Sequence, residues 1–274
     1  GKFVALIGEQ GIGDVVMFSS IIPDLISLGA RITLYANMRL CSLIKNSFPE
    51  IEFYPVDRAS SHIDKFDYIM PVGDLPALFR SERTQFPGSP YLKPSKEAIE
   101  FIRQRYAFDK TKFNIGVSWR GGSPGTASIY RTLDLNTIAQ CFSAQPIALH
   151  SLQYKESKTE LLEFNKVGPN SVSPFLDAEL DDVDHLAALI SQLDLVVTVQ
   201  NTNVHLSGAL GKSCLALLPF SPEWRYGVEG NSMAWYGSGN LVRQTELGEW
   251  GNVITEANKL TNRAVAAWKG QVEL

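Results

Sequence analysis

Strand-like and helix-like segments alternate along the whole chain, and this constrains the fold more than any other feature. "KFVALIG" (2–8) is a β-rich run, and Phe18, Ile21, Ile22 and Leu25 then recur at i, i+3, i+4 and i+7, on one helix face. Pro23 lies inside that helix and predicts a kink or a loosened turn. "RITLYAN" (31–37) reads as a second strand, entered through a turn at Gly29. A helix at 39–47, strands near 51–55 and 67–71, a short helix at 75–80 and a helix at 95–107 complete a first unit. The stretch 83–95, with three prolines and a glycine, reads as extended or looped. The alternation restarts near residue 110, with "NIGVSWR" (114–120), helix 135–143, strand 146–152, helix 156–165 and helix 181–193. Strand 194–200, helix 202–210, strand 213–219, strand 240–244 and a final helix at 250–268 follow. "GGSPGTAS" (121–128) is too rich in Gly, Ser and Pro for regular structure.

Such alternation predicts an α/β chain with parallel sheets covered on both faces. The restart divides it into two Rossmann-like units, 1–108 and 109–274, with the final helix a candidate to pack back on the first. The length of 274 residues and the 45% apolar content support cores of that size. Ligands of such sheets bind beyond the carboxyl ends of the strands, so two facing units make a cleft.

Charge and cysteine usage narrow the function. Net charge is −4 and acids and bases are mixed, which argues against a nucleic-acid arm or a polybasic membrane anchor. No run of about 18 apolar residues suggests a spanning helix, and no signal peptide is evident. The first residue is Gly, so further sequence ahead of it is expected in the natural protein. Cys41, Cys141 and Cys214 form no CxxC pair and read as reduced thiols of a cytoplasmic protein. His62, His150, His185 and His205 show no HxH or HExxH spacing, which argues against a protein-built zinc site, and no cofactor is expected.

Three stretches carry candidate chemistry. "GEQGIGD" follows a strand and opens a helix, but glycines at 8, 11 and 13 do not match the dinucleotide fingerprint GxGxxG. Gly11 and Gly13 keep the space above the helix N-terminus clear. Asp14, in the first helical turn, is either a dipole partner or a general base, and Glu9 is its rival for the second role. "SWRGGSPGTASIYR" places Arg120 and Arg131 around a glycine loop, and a guanidinium fork suits phosphate. In "TVQNTNVHLSGALG", Asn201 or Thr202 caps a helix whose free N–H groups can take a diphosphate. His205 reads as a hydrogen-bonded buried histidine or as a group acting on substrate. Trp224, Tyr226, Trp235 and Tyr236 either stack on a ligand ring or bury their loop.

In order along the chain, "GEQGIGDVVMFSSIIPDL", "GVSWRGG…R", "HSLQY", "LDLVVTVQNTNVHLSGALGK" and "LLPFSPEWRYG…MAWYGSGNLVRQ" resemble the glycosyltransferase domain that follows tetratricopeptide repeats in bacterial proteins. That domain is similar to the ADP-heptose:lipopolysaccharide heptosyltransferases of glycosyltransferase family 9. The resemblance implies the GT-B architecture, two Rossmann-like domains facing across a cleft. It implies a metal-independent inverting transferase, a nucleotide-diphosphate sugar donor, and a glycan, lipid or protein acceptor. It also implies tetratricopeptide repeats ahead of Gly1, of which this sequence contains none. By motif, Asp14 matches the family's base, Arg131 or Arg120 its basic residue, and His205 and Gly208 its glycine-rich helix. Gln153, Gln200, Asn201, Thr202, Glu223 and Trp224 join Gly11 and Gly13 as candidate donor-binding residues. Heptosyltransferases usually carry Asp-Thr where this chain has Gln200-Asn201, so the donor's identity does not transfer. A non-catalytic nucleotide-sugar or glycan-binding module and a nucleotide-sugar epimerase are the alternative readings.

Overall fold

The computed structural model describes residues 1–121, 128–154, 158–167 and 170–272. The first half holds β1 (Phe3–Ile7), α1 (Ile12–Phe18), α2 (Ile22–Ser27), β2 (Arg31–Ala36), α3 (Cys41–Ser47), β3 (Glu52–Pro55), β4 (Tyr68–Pro71), α4 (Leu75–Phe79) and α5 (Lys96–Arg105). As Pro23 predicts, the first helical stretch is broken: a 3-10 turn at Ser19–Ile21 separates α1 from α2, and the proline falls in the first turn of α2. The four strands form one parallel sheet in the order β3-β2-β1-β4.

The second half holds β5 (Phe113–Ser118), α6 (Leu135–Ala139), β6 (Ile147–Ser151), α7 (Lys158–Val167), β7 (Val172–Pro174), α8 (Asp177–Asp181) and α9 (Val183–Ser191). It continues with β8 (Leu195–Val199), α10 (Thr202–Ala209), β9 (Cys214–Leu218), β10 (Ser232–Met233), β11 (Tyr236–Arg243) and α11 (Gly251–Val272). The sheet order is β10-β11-β9-β8-β5-β6-β7, parallel except for the β10–β11 pair. All of β5, β8 and β9 is buried, as expected for strands covered on both faces.

Each sheet reverses its winding beside its first strand. In the first sheet the chain leaves β1 for β2 and β3, then crosses to β4 on the other side. In the second it leaves β5 for β6 and β7, then crosses to β8. A parallel sheet opens a crevice beyond its carboxyl edge at such a point. The segments leaving β1, β5 and β8 therefore hold the residues placed to meet a ligand.

One apolar core runs through both halves. Phe18, Ile21 and Leu43 from the first half join Ala187, Leu189, Leu206 and Trp235 from the second. Helix α1 packs on α10, and α5 on α9. Asp182 caps α9 by accepting from the backbone N–H of Asp184 and His185. A second core lies on the other face of the large sheet. There α11 sets Val253, Ile254, Ala257 and Val265 against strands that include β9 and β11. The described part of the final helix packs on the second sheet, its apolar stripe joining residues of α6 and α7 in that core. Helix α6 ends at Ala139, short of the expected 143, because Cys141 and Phe142 turn inward to the same core. Most of the glycine-rich stretch, 122–127, and the expected start of helix 156–165 lie outside the described residues.

Candidate functional site

A cavity of about 590 Å³ opens where the carboxyl edges of the two sheets meet. From the first half, Gly11, Gly13 and Asp14 line it at the start of α1, and Arg39 lines it after β2. The second half contributes Arg120 after β5, Arg131 at the end of a 3-10 turn, and Gln153 after β6. Gln200, Asn201, Thr202 and His205 reach it from the end of β8 and from α10, and Glu223, Arg225 and Tyr226 from the loop after β9.

Local hydrogen bonds hold the strand ends in place. Gln153 Oε1 accepts from the backbone N–H of Trp119 at 3.1 Å and of Arg120 at 2.8 Å, and from Ser118 Oγ at 3.2 Å. Asn201 is the N-cap of α10: its Oδ1 accepts from Asn203 N–H at 2.9 Å, and its Nδ2 donates to Ser118 Oγ at 2.9 Å. Gln200 Oε1 accepts from Glu223 N–H at 3.3 Å. Arg120 pairs with Glu160 at 2.8 Å. Gly13 allows α1 and α10 to meet: a Cβ there would lie 3.0 Å from His205 Cδ2 and 3.5 Å from Thr202 Oγ1.

Asp14 does not cap its helix. The N-cap is Gly11, with no side-chain capping bond. The Asp14 carboxylate instead crosses the cavity, and its Oδ1 accepts from Arg225 Nε at 2.7 Å and from Arg225 Nη2. Arg225 Nη1 donates to Glu223 Oε2, and Glu223 Oε1 accepts from Arg131 Nη1. Four charged side chains, Asp14–Arg225–Glu223–Arg131, thus form one alternating row from the first half to the second. Asp14 Oδ2 has no hydrogen bond among the described residues. A second cross-cavity pair joins Arg39 to Asp181 at 3.1 Å, with Arg39 over the Tyr154 ring.

His205 is the hydrogen-bonded buried histidine its sequence context allowed, and it also faces the cavity. It is 5% exposed, its Nδ1 is 3.1 Å from the Tyr236 hydroxyl, and it lines the cavity. Burial, helped by the Arg225 charge, lowers its pKa to about 3, so the ring is neutral at pH 7. Glu9, the rival base, is exposed, stands outside the cavity lining, and its Oε1 accepts from Gln10 Nε2.

Trp224 is the one candidate binding residue that does not line the cavity. In the 3-10 turn Trp224–Tyr226, successive side chains diverge. Arg225 and Tyr226 face inward, whereas Trp224 is 62% exposed and stacks over Phe18 at 6.4 Å. Tyr226, Trp235 and Tyr236 are buried and anchor the loop to the shared core. Sequence reasoning missed Arg225 and Arg39.

Among the described residues no group of three or more His, Cys, Asp or Glu side chains could hold a metal ion. No helix there is long and apolar enough to cross a membrane. All three cysteines are free, and burial pushes the thiols of Cys141 and Cys214 up to about 12.

Two parallel sheets that meet at their carboxyl edges around a polar cavity define the GT-B architecture, and the fold is that of the family 9 heptosyltransferases. Over its full length the chain matches the E. coli ADP-heptose LPS heptosyltransferase II, all of whose chain is covered, with a TM-score of 0.68 and 14% identity. A glycosyl transferase family 9 protein from Veillonella parvula gives 0.68 and 13%, over 97% of this chain and 96% of that one. The E. coli heptosyltransferase WaaC, solved with ADP, gives 0.54 and 11%, over 97% and 99%. In sequence the chain is 26% identical to protein FlbA of Caulobacter vibrioides over 270 residues, covering 91% of this chain but 44% of FlbA. No protein-family model matches.

Proposed function

We propose that this chain is an inverting glycosyltransferase that moves a sugar from a nucleotide-diphosphate donor to a hydroxyl of a glycan, lipid-linked or protein acceptor. The observation that carries this reading is that one cavity brings Asp14 from the first half together with Arg131 and the N-terminus of α10 from the second. In this reading residues 109–274 bind the donor, and the acceptor enters from residues 1–108. Asp14 Oδ2 takes the acceptor's hydroxyl proton as the acceptor oxygen bonds to the anomeric carbon. The bond from that carbon to the diphosphate breaks on the opposite face. Charge then grows on the leaving diphosphate, where Arg131 and the positive end of the α10 dipole stabilise it more in the transition state than in the ground state. Those fixed cationic groups are the basis for proposing a metal-independent reaction.

The heptosyltransferase neighbours lend the donor class; the base and the sugar stay unassigned because Gln200-Asn201 replaces Asp-Thr. We also take the domain to be the catalytic part of a longer cytoplasmic protein, with the tetratricopeptide repeats its resemblance implies. A second reading, a nucleotide-sugar-binding module without turnover, draws on the Asp14–Arg225 pair, which engages the proposed base.

A thermal-shift panel of UDP-, ADP-, GDP- and dTDP-sugars, with a cytidine-monophosphate sugar as the control, tests the donor class. A ligand at about 100 times its Kd adds about 2.7 kcal/mol. Binding of the monophosphate sugar alone would overturn the diphosphate reading. With the donor in hand, Asp14→Asn is expected to abolish most transfer and to leave nucleotide binding intact. Full transfer by that variant would remove Asp14 from the mechanism, and tight donor binding with no transfer to any acceptor would favour the binding module.

A further inference from the structure

We propose that Glu223 is a built-in occupant of an anion subsite formed by Arg131 and Arg225, and that a phosphate group of the ligand displaces it on binding. The inference rests on the donor-site reading above and adds Arg225, which the sequence motifs do not assign. Three observations converge on it.

The first is geometry. The two carboxylate oxygens of Glu223 are divided between two guanidiniums, Oε1 on Arg131 and Oε2 on Arg225. An oxyanion bridging two arginine forks is also how a phosphate would sit between them. The second is the contrast in exposure. The side chains of Arg131 and Arg225 are only 8% and 12% exposed, whereas that of Glu223 is 35% exposed. The cations are held in the wall, and the carboxylate has a way out to water. The third is the anchoring of the backbone beneath it. Glu223 N–H is bound by Gln200 Oε1 at 3.3 Å, and Glu223 C=O accepts from Tyr226 N–H at 3.1 Å. The carboxylate can therefore rotate away about its own side-chain bonds while the loop stays in place.

Displacement would leave Arg225 between the arriving phosphate and Asp14, which still accepts from its Nε and Nη2. Arg225 is then a positioning residue that joins the anion subsite to the proposed base. Without Glu223, two neighbouring guanidiniums would be left with no anion between them. The glutamate offsets that repulsion until the ligand arrives, at the expense of competing with it.

The test is calorimetric titration of inorganic pyrophosphate into the wild type, Glu223→Gln and Glu223→Asp. The Gln variant keeps the shape and removes the competing charge. The Asp variant keeps the charge but is one methylene too short to span both guanidiniums, so it serves if the Gln variant folds poorly. Both should bind pyrophosphate more tightly, Glu223→Gln by at least about tenfold, or about 1.4 kcal/mol. Adding Arg225→Gln to Glu223→Gln should erase the gain. Unchanged or weaker binding in both Glu223 variants would overturn the proposal and make Glu223 a direct ligand contact or a structural group. The outcome is separable from that of the donor reading. Nucleotide-sugar binding by the wild type without the pyrophosphate gain sinks only the displacement. The pyrophosphate gain with no nucleotide sugar bound sinks only the donor assignment.

Discussion

Gly208→Ala tests whether the position of α10, and with it the cavity wall, is set by close packing on β11. A Cβ at residue 208 would lie 2.1 Å from Tyr236 Cγ and 2.4 and 2.5 Å from the two Cδ atoms. Ordinary contact begins at 3.4 Å, so helix or ring must retreat by about 1.3 Å. The ring has little room, since Tyr236 is 2% exposed and its hydroxyl is tied to His205 on the same helix. Overpacking of this kind costs about 1–3 kcal/mol. A rigid aromatic ring that cannot rotate clear argues for the upper end. Against that, Ala is the better helix former by about 0.8–1.0 kcal/mol. The net expectation is a loss of about 2 kcal/mol, or a Tm lower by about 4–8 °C for a chain of this size. Urea unfolding should show a lower midpoint at unchanged slope. Gly270→Ala on α11, where nothing lies within 4 Å of the added Cβ, is the control and should not destabilise. If Gly208→Ala proves as stable as the wild type, the ring yields freely and the glycine is not there for close approach. Because His205 and the N-terminus of α10 move with the helix, nucleotide affinity should fall along with stability.

Two other perturbations read different parts of the site. Arg131→Ala should lower kcat on the order of a hundredfold, the effect of removing one transition-state donor; a change under threefold, or one confined to KM, would remove Arg131 from leaving-group stabilisation. Burial holds the folded-state pKa of His205 at about 3 and of His150 at about 4, both below the unfolded value near 6.5. Between those limits the unfolded state binds more protons, so stability must fall as pH drops below about 6.5. Each histidine should cost about 2 kcal/mol by pH 5. Urea midpoints at pH 7 and pH 5 check this, and His205→Gln should lessen the difference; equal wild-type midpoints at the two pH values would refute it.

The central strands β8 and β9 were legible because burial on both faces writes them as near-continuous apolar runs, "LVVTV" and "CLALL". Strands β7 and β10 carry no such signal, being short edge strands of two or three residues that include Ser and Pro. The loops after β1, β5 and β8 were legible for a related reason: a polar or glycine-rich segment that follows a buried strand has few structural uses. Arg225 was not legible, because its partner Asp14 is 211 residues away and sequence carries no sign of that meeting. Trp224 and Arg225 are adjacent in one 3-10 turn, and nothing local says which of them faces the cavity. The aromatic residue drew attention for its chemistry, and the arginine took the position.

The shared core bears on how a ligand reaches the cavity. Separating the halves would break Asp14–Arg225 and Arg39–Asp181, and it would also peel α1 from α10 and α5 from α9. Side chains now buried across that boundary, Phe18 against Trp235 among them, would meet water at about 25 cal/mol for every Å² of apolar surface. Rotating Glu223 out of the arginine pair exposes no apolar surface and moves no helix. The packing therefore favours exchange of one carboxylate for another anion over wide opening of the cleft. It also gives the charged row a reason to be near neutral: two buried guanidiniums beside an apolar core need counter-charges before a ligand arrives, and Asp14 and Glu223 supply them.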